Sequence, residues 1–72
     1  MRSNAGFEII ASVPIEIGSE VVIGEKKSQS GSQYVCWLCS AGNNYYWGRY
    51  ASEYKDAVKV MTDRLRTFLA RS

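Results

Sequence analysis

Histidine is absent from this chain, proline occurs once, cysteine twice, and no long apolar run is present. Without histidine, the side chain that usually exchanges protons near neutral pH is missing. A structural zinc ion takes four ligands of the Cys and His type. Two cysteines cannot supply them within one chain, and only a dimer could close a four-cysteine set. Nine basic against seven acidic residues leave a net charge of +2, too mild for a binder that relies on a nucleic-acid backbone. No segment approaches the roughly 18 apolar residues that span a bilayer. The apolar stretch after Arg2 is broken by Glu8, Pro14 and Glu16 and lacks a small-residue cleavage site. The expectation is a cytoplasmic, non-enzymatic protein without metal, cofactor or membrane contact, its cysteines reduced.

What is present is concentrated. Residues 34–50, YVCWLCSAGNNYYWGRY, hold both tryptophans, both cysteines and four of the five tyrosines. A chain of 72 residues is one domain (1–72) that buries only about 60% of its unfolded surface, so this much aromatic area exceeds what a small core needs.

Periodicity predicts α+β: an antiparallel four-stranded meander over 7–17, 21–25, 33–40 and 44–50, with one helix over 52–70 packed on one face. Residues 1–6 read as a flexible lead-in. From Phe7 to Ile17 every odd position is apolar, a strand pattern, and Pro14 assigns that strand to an edge or a bulge. A three-residue turn (18–20) would align Val21 and Ile23 with Ile17 and Ile15. Residues 25–33, EKKSQSGSQ, read as a loop. A turn of two or four residues at 41–44 pairs Ser40 with Tyr45, Leu38 with Trp47, and Trp37 with Gly48, where the glycine leaves room for the indole. Ser52 can cap the helix, with Glu53 and Asp56 early and Arg64, Arg66 and Arg71 late. Its apolar stripe is Tyr54, Ala57, Val58, Met61, Leu65, Phe68 and Leu69.

One helix covers one face. Val35, Trp37, Cys39, Tyr46, Gly48 and Tyr50 form a face without charge, assigned to the helix. Tyr34, Leu38, Tyr45, Trp47 and Arg49 are then left as an exposed patch, and such patches mark interaction sites; Tyr, Trp and Arg are hot-spot residues. The alternative, Trp47 as core beneath a loop or the N-terminal segment, stands beside this reading.

The segments FEIIASVP, EVVIG, YVCWLC and GNNYYWGRY, closed by a helix, resemble a group of small uncharacterised proteins of bacterial conjugative elements. That group has a Tyr-Val-x-Trp-x-Cys strand followed by Gly-Asn-Asn-Tyr-Tyr-Trp-Gly-x-Tyr. The resemblance covers most of residues 7–50 and is most specific over 42–50. It departs in the first hairpin, one residue longer here, and at Cys36, where a threonine-like residue is expected. It implies a mobile-element setting and no defined activity.

Cys36 and Cys39 have Cys-x-x-Cys spacing, but within a strand the two side chains point to opposite faces, and thioredoxin-type chemistry needs a helix N-terminus. Cys39 reads as a small buried apolar residue. The scattered glycines form no phosphate-binding loop, and Glu8, Glu16, Glu20 and Glu25 read as solvated charges. Three binding roles remain: a protein-interaction module, single-stranded nucleic-acid binding with bases stacked on Tyr45 and Trp47, and a symmetric homodimer joined through the open face.

Overall fold

In the computed structural model, which describes residues 2–71, the chain is α+β. Five antiparallel strands in sequence order form one curled sheet: β1 (Ser3–Asn4), β2 (Phe7–Glu16), β3 (Ser19–Ser28), β4 (Gly31–Ser40) and β5 (Asn44–Ala51). The C-terminal helix α1 (Tyr54–Arg71) crosses one side. Met1 and Ser72, and the side chain of Arg71, lie outside the described residues.

The strand count is five rather than four because the expected lead-in turns back on itself, setting Ser3 against Glu8 and Asn4 against Phe7. Ala5 and Gly6 hold φ of 53° and 84°, the double left-handed turn a two-residue hairpin requires. Alanine rarely occupies that conformation, so Ala5-Gly6 lacks the Asn-Gly or Asp-Gly pair that marks such a turn.

β2 departs from its uniform alternation. Ile9 faces Gly24 while Ala11 faces Ile23, leaving Ile10 as an extra residue, and Ile15 is a second extra residue near the turn. A bulge shifts the following side chains to the other face. Phe7 and Ile9 therefore join Val22, Val35 and Trp37, whereas Ala11, Val13 and Ile15 join Val21, Ile23 and Leu38. The turn falls at Ile17 and Gly18, so Val21 and Ile23 pair with Val13 and Ala11 instead of Ile17 and Ile15. Ile17 projects fully into solvent.

The expected loop at 25–33 is instead a continuation of the β3–β4 ladder, from Glu25 opposite Tyr34 to Ser28 opposite Gly31. Backbone pairing holds it with polar side chains, which leave no hydropathy pattern.

Between β4 and β5 the turn has three residues, 41–43, with Ala41 and Gly42 left-handed. This length shifts the pairing near the turn by one, to Ser40–Asn44, Cys39–Tyr45 and Leu38–Tyr46. Trp47 and Gly48 then stand together opposite Trp37, and the expected frame returns at Cys36–Arg49 and Val35–Tyr50.

The helix covers the face opposite to the one expected. Ala57 and Met61, with Val58, Leu65 and Phe68, pack on Val21, Ile23, Cys36 and Leu38. The charge criterion misled because Arg49 lies on an edge strand, where its long side chain reaches water past the helix. Short aliphatic side chains also let a helix approach closely, which a flat indole would prevent. At the helix start, the Glu53 carbonyl rather than the Ser52 side chain accepts bonds, from the Asp56 and Ala57 N–H groups.

The other face closes over itself. The Trp37 indole lies across two glycines: a Cβ on Gly48 would sit 2.6 Å from its Nε1, and one on Gly24 3.0 Å from its Cζ3. Phe7 meets Trp37 edge-on at 5.7 Å, Tyr45 tilts against it at 5.5 Å, and Tyr50 reaches Phe7 at 6.0 Å. That last contact joins β2 to β5, so the sheet must curl. Arg2 completes the cover, donating to Glu20 at 2.8 Å and to the Cys39 Sγ at 3.6 Å.

Candidate functional site

The five residues expected as one patch are divided between two faces. Leu38, 2% exposed, is core beneath the helix. Tyr34 is half-buried on the helix side, its ring 5.7 Å from Tyr54 and its hydroxyl donating to Glu25 at 3.0 Å. Tyr45 lies on the other face against Trp37. Arg49 lines a shallow groove between β5 and α1 with Asp56, Lys59 and Asp63. Trp47 stands at the bulge, 69% exposed.

Around Trp47 a different grouping emerges. Tyr46 meets it edge-on at 5.6 Å, and Tyr50, 68% exposed, lies further along the same strand. Six of the eight β5 residues are exposed, all but Tyr45 and Ala51: Asn44, Tyr46, Trp47, Gly48, Arg49 and Tyr50. As the last strand of the sheet, β5 also has an outer edge that no strand among the described residues pairs with.

The geometry of Trp47 has a cost. Its φ is 55°, a left-handed conformation disfavoured for a residue with a Cβ by about 1–2 kcal/mol. Arg64, reaching down from α1, holds it there: the guanidinium donates to the Trp47 carbonyl and, at 2.9 Å, to the Cys36 carbonyl. One side chain thus satisfies acceptors on both strands at the bulge, and charged donors make stronger bonds than neutral ones. Sequence reasoning placed Arg64 only as a charge favouring the helix dipole, and it missed Tyr46 and Tyr50. The one available signal was Gly48 directly after a tryptophan, since glycine within a strand marks a bulge.

The cysteines are separated as expected, on opposite faces and free. Burial pushes the Cys36 thiol above its ordinary value, and the nearby Arg64 only partly offsets this. Among the described residues no group of three or more His, Cys, Asp or Glu side chains could hold a metal ion, and no helix is long and apolar enough to cross a membrane.

Bases would need free ring faces. Phe7 and Trp37 are buried, Arg2 lies 6.0 Å over the Tyr45 ring, and Lys26 lies 5.8 Å over that of Phe7. The internal cations already occupy the π surfaces that stacking uses. Trp47, Tyr46, Tyr50 and Tyr54 remain.

Compared with protein-family models, curated proteins and solved structures, the chain matches none.

Proposed function

We propose that this is a non-enzymatic, cytoplasmic protein-interaction module of a mobile element, acting through the aromatic edge strand β5 with Trp47 as its anchor. The observation that carries the reading is the exposed Trp47 ring on a left-handed backbone clamped by Arg64. Folding gains little from an indole in water, and strain of this kind collects at functional sites. Tyr46, Arg49 and Tyr50 flank it with the residue types that dominate binding hot spots. The mobile-element setting rests on the resemblance over residues 42–50. Single-stranded nucleic acid is the weaker reading, because the larger aromatic cluster is buried under its own cations.

The test compares the wild-type protein with Trp47→Asn. Asparagine tolerates positive φ, so the variant keeps the backbone and loses the ring. The expected outcome is an unchanged circular dichroism spectrum, with loss of a protein partner identified by affinity capture and then reconstituted from purified components. Tryptophan quenching by single-stranded DNA or RNA that weakens steeply with salt would instead favour nucleic acid.

A further inference from the structure

We propose that the occupant of the β5 edge is a second copy of this chain, paired antiparallel along β5 to join two sheets into one. The inference rests on the interaction reading of β5 and names its partner.

The bulge carries the argument. Tyr46 is opposite Leu38 and Arg49 opposite Cys36, so the two lie on the same face although an odd number of positions separates them. Tyr45 and Tyr50, opposite Cys39 and Val35, likewise share the other face. A regular strand would place each pair on opposite faces. Because of the extra residue at Trp47–Gly48, residues equidistant from that point share a face, so a two-fold axis perpendicular to the sheet can pass between the two.

Antiparallel pairing about that centre sets Tyr46 against Arg49 of the second copy, a cation over a π face. It sets Tyr45 against Tyr50 of the second copy, an aromatic cross-strand pair. Trp47 falls beside Gly48 of the second copy, so the two large rings at the centre do not oppose each other. Arg49 is the only charged residue on β5, and this register never places it opposite its own equivalent. Both helices lie on the same side of the joined sheet. The α1 surface beside β5 alternates Asp56, Lys59 and Asp63, and an antiparallel copy brings Lys59 toward Asp63 of its neighbour.

The opposite edge lacks this complementarity. Beyond β1, which pairs only with Phe7 and Glu8, that edge is formed by β2, where Pro14 has no N–H to donate. Glu16 lies at its free end, and β1 covers its other end at Phe7 and Glu8. These are the features that protect an edge. A standard interface removes about 800 Å² per partner, roughly a sixth of the 4964 Å² this chain exposes. β5 can supply that only if Trp47, Tyr46 and Tyr50 all become buried.

Two measurements test the proposal on the full chain. Sedimentation velocity from micromolar to submillimolar concentration is expected to show a monomer–dimer equilibrium, weakened about tenfold or more by Trp47→Asn. Mixing Tyr46→Cys with Arg49→Cys under mild oxidation is expected to give a disulfide between the two variants, far exceeding that within either variant alone. A dimer without this mixed disulfide overturns the β5 register. A monomer at every concentration overturns the second copy; if it binds a different protein in a Trp47-dependent manner, the interaction reading survives, and if Trp47→Asn changes no binding, both fall.

Discussion

The two faces of the sheet reach burial by different means. On one, Val21, Ile23, Cys36 and Leu38 are short enough for α1 to settle on them, and Ala57 and Met61 complete an aliphatic layer. On the other, no helix is present, yet Val22, Val35 and Cys39 have no exposed surface. Trp37 lies flat across Gly24 and Gly48, Phe7 and Tyr45 pack against it, and the curl of the sheet brings Tyr50 to Phe7. A domain this small has one helix to spend, and large rings with two glycines replace the second. The difference teaches that an uncovered sheet face is not thereby an exposed one.

The largest effect should come from removing the ring that closes the aromatic face. Trp37→Ala is expected to cost about 3–5 kcal/mol, enough to unfold much of a domain whose total stability is of order 5–15 kcal/mol. Urea denaturation measures it. A loss below that of Met61→Ala would show that the helix, not the indole, closes both faces.

Gly48→Ala sharpens the same comparison. The added Cβ meets the indole at 2.6 Å, and overpacking of this kind costs about 1–3 kcal/mol. In a Trp37→Ala background the penalty should vanish, a coupling that a double-mutant cycle reads directly. Equal penalties in both backgrounds would place the strain elsewhere.

Arg64→Met tests the link from the helix side to the bulge. It leaves the Cys36 and Trp47 carbonyls without their charged donor, at about 1–3 kcal/mol. Faster amide exchange at Trp47 and Gly48 should accompany the loss. Trp47→Asn should act in the opposite direction, gaining up to about 1 kcal/mol by relieving the left-handed backbone. A destabilised Trp47→Asn would mean that the indole contributes to the core after all.

The smallest effect concerns pH. The hydrogen bond from Tyr34 to Glu25 raises the Tyr34 phenol above its ordinary value of 10.0. Because the folded value is the higher one, the contribution is complete below about pH 10 and is lost as pH rises through the folded value. Stability should therefore decline more steeply above pH 10 in the wild type than in Tyr34→Phe. Parallel curves would remove this bond from the balance.

Legibility followed the same division. The helix and its buried positions Ala57 and Met61 were readable because a 3.6-residue period survives in the sequence. So was the match of Trp37 to Gly48, since glycine opposite an indole is a steric requirement. The faces were not readable, because a single inserted residue reverses every side chain beyond it. Ile10 in β2 and Trp47 in β5 are such residues, and neither looks unlike its neighbours. Hence the expected patch was divided: Leu38 belongs to the core, Tyr45 to the other face, and Trp47 to the edge.

By itself the sequence determined the α+β class, the antiparallel order, a C-terminal helix with one apolar stripe, and an aromatic excess near its centre. These are local properties, set by period, turn composition and side-chain size. Only the tertiary structure decided which face the helix covers, how many strands form, and which aromatic rings meet water. Those outcomes depend on turn lengths and bulges, whose backbone conformations at Ala41 and Trp47 are held by contacts distant in the chain. The Arg64 clamp on Trp47 shows this most directly, joining residues 17 positions apart through a geometry that no local pattern encodes.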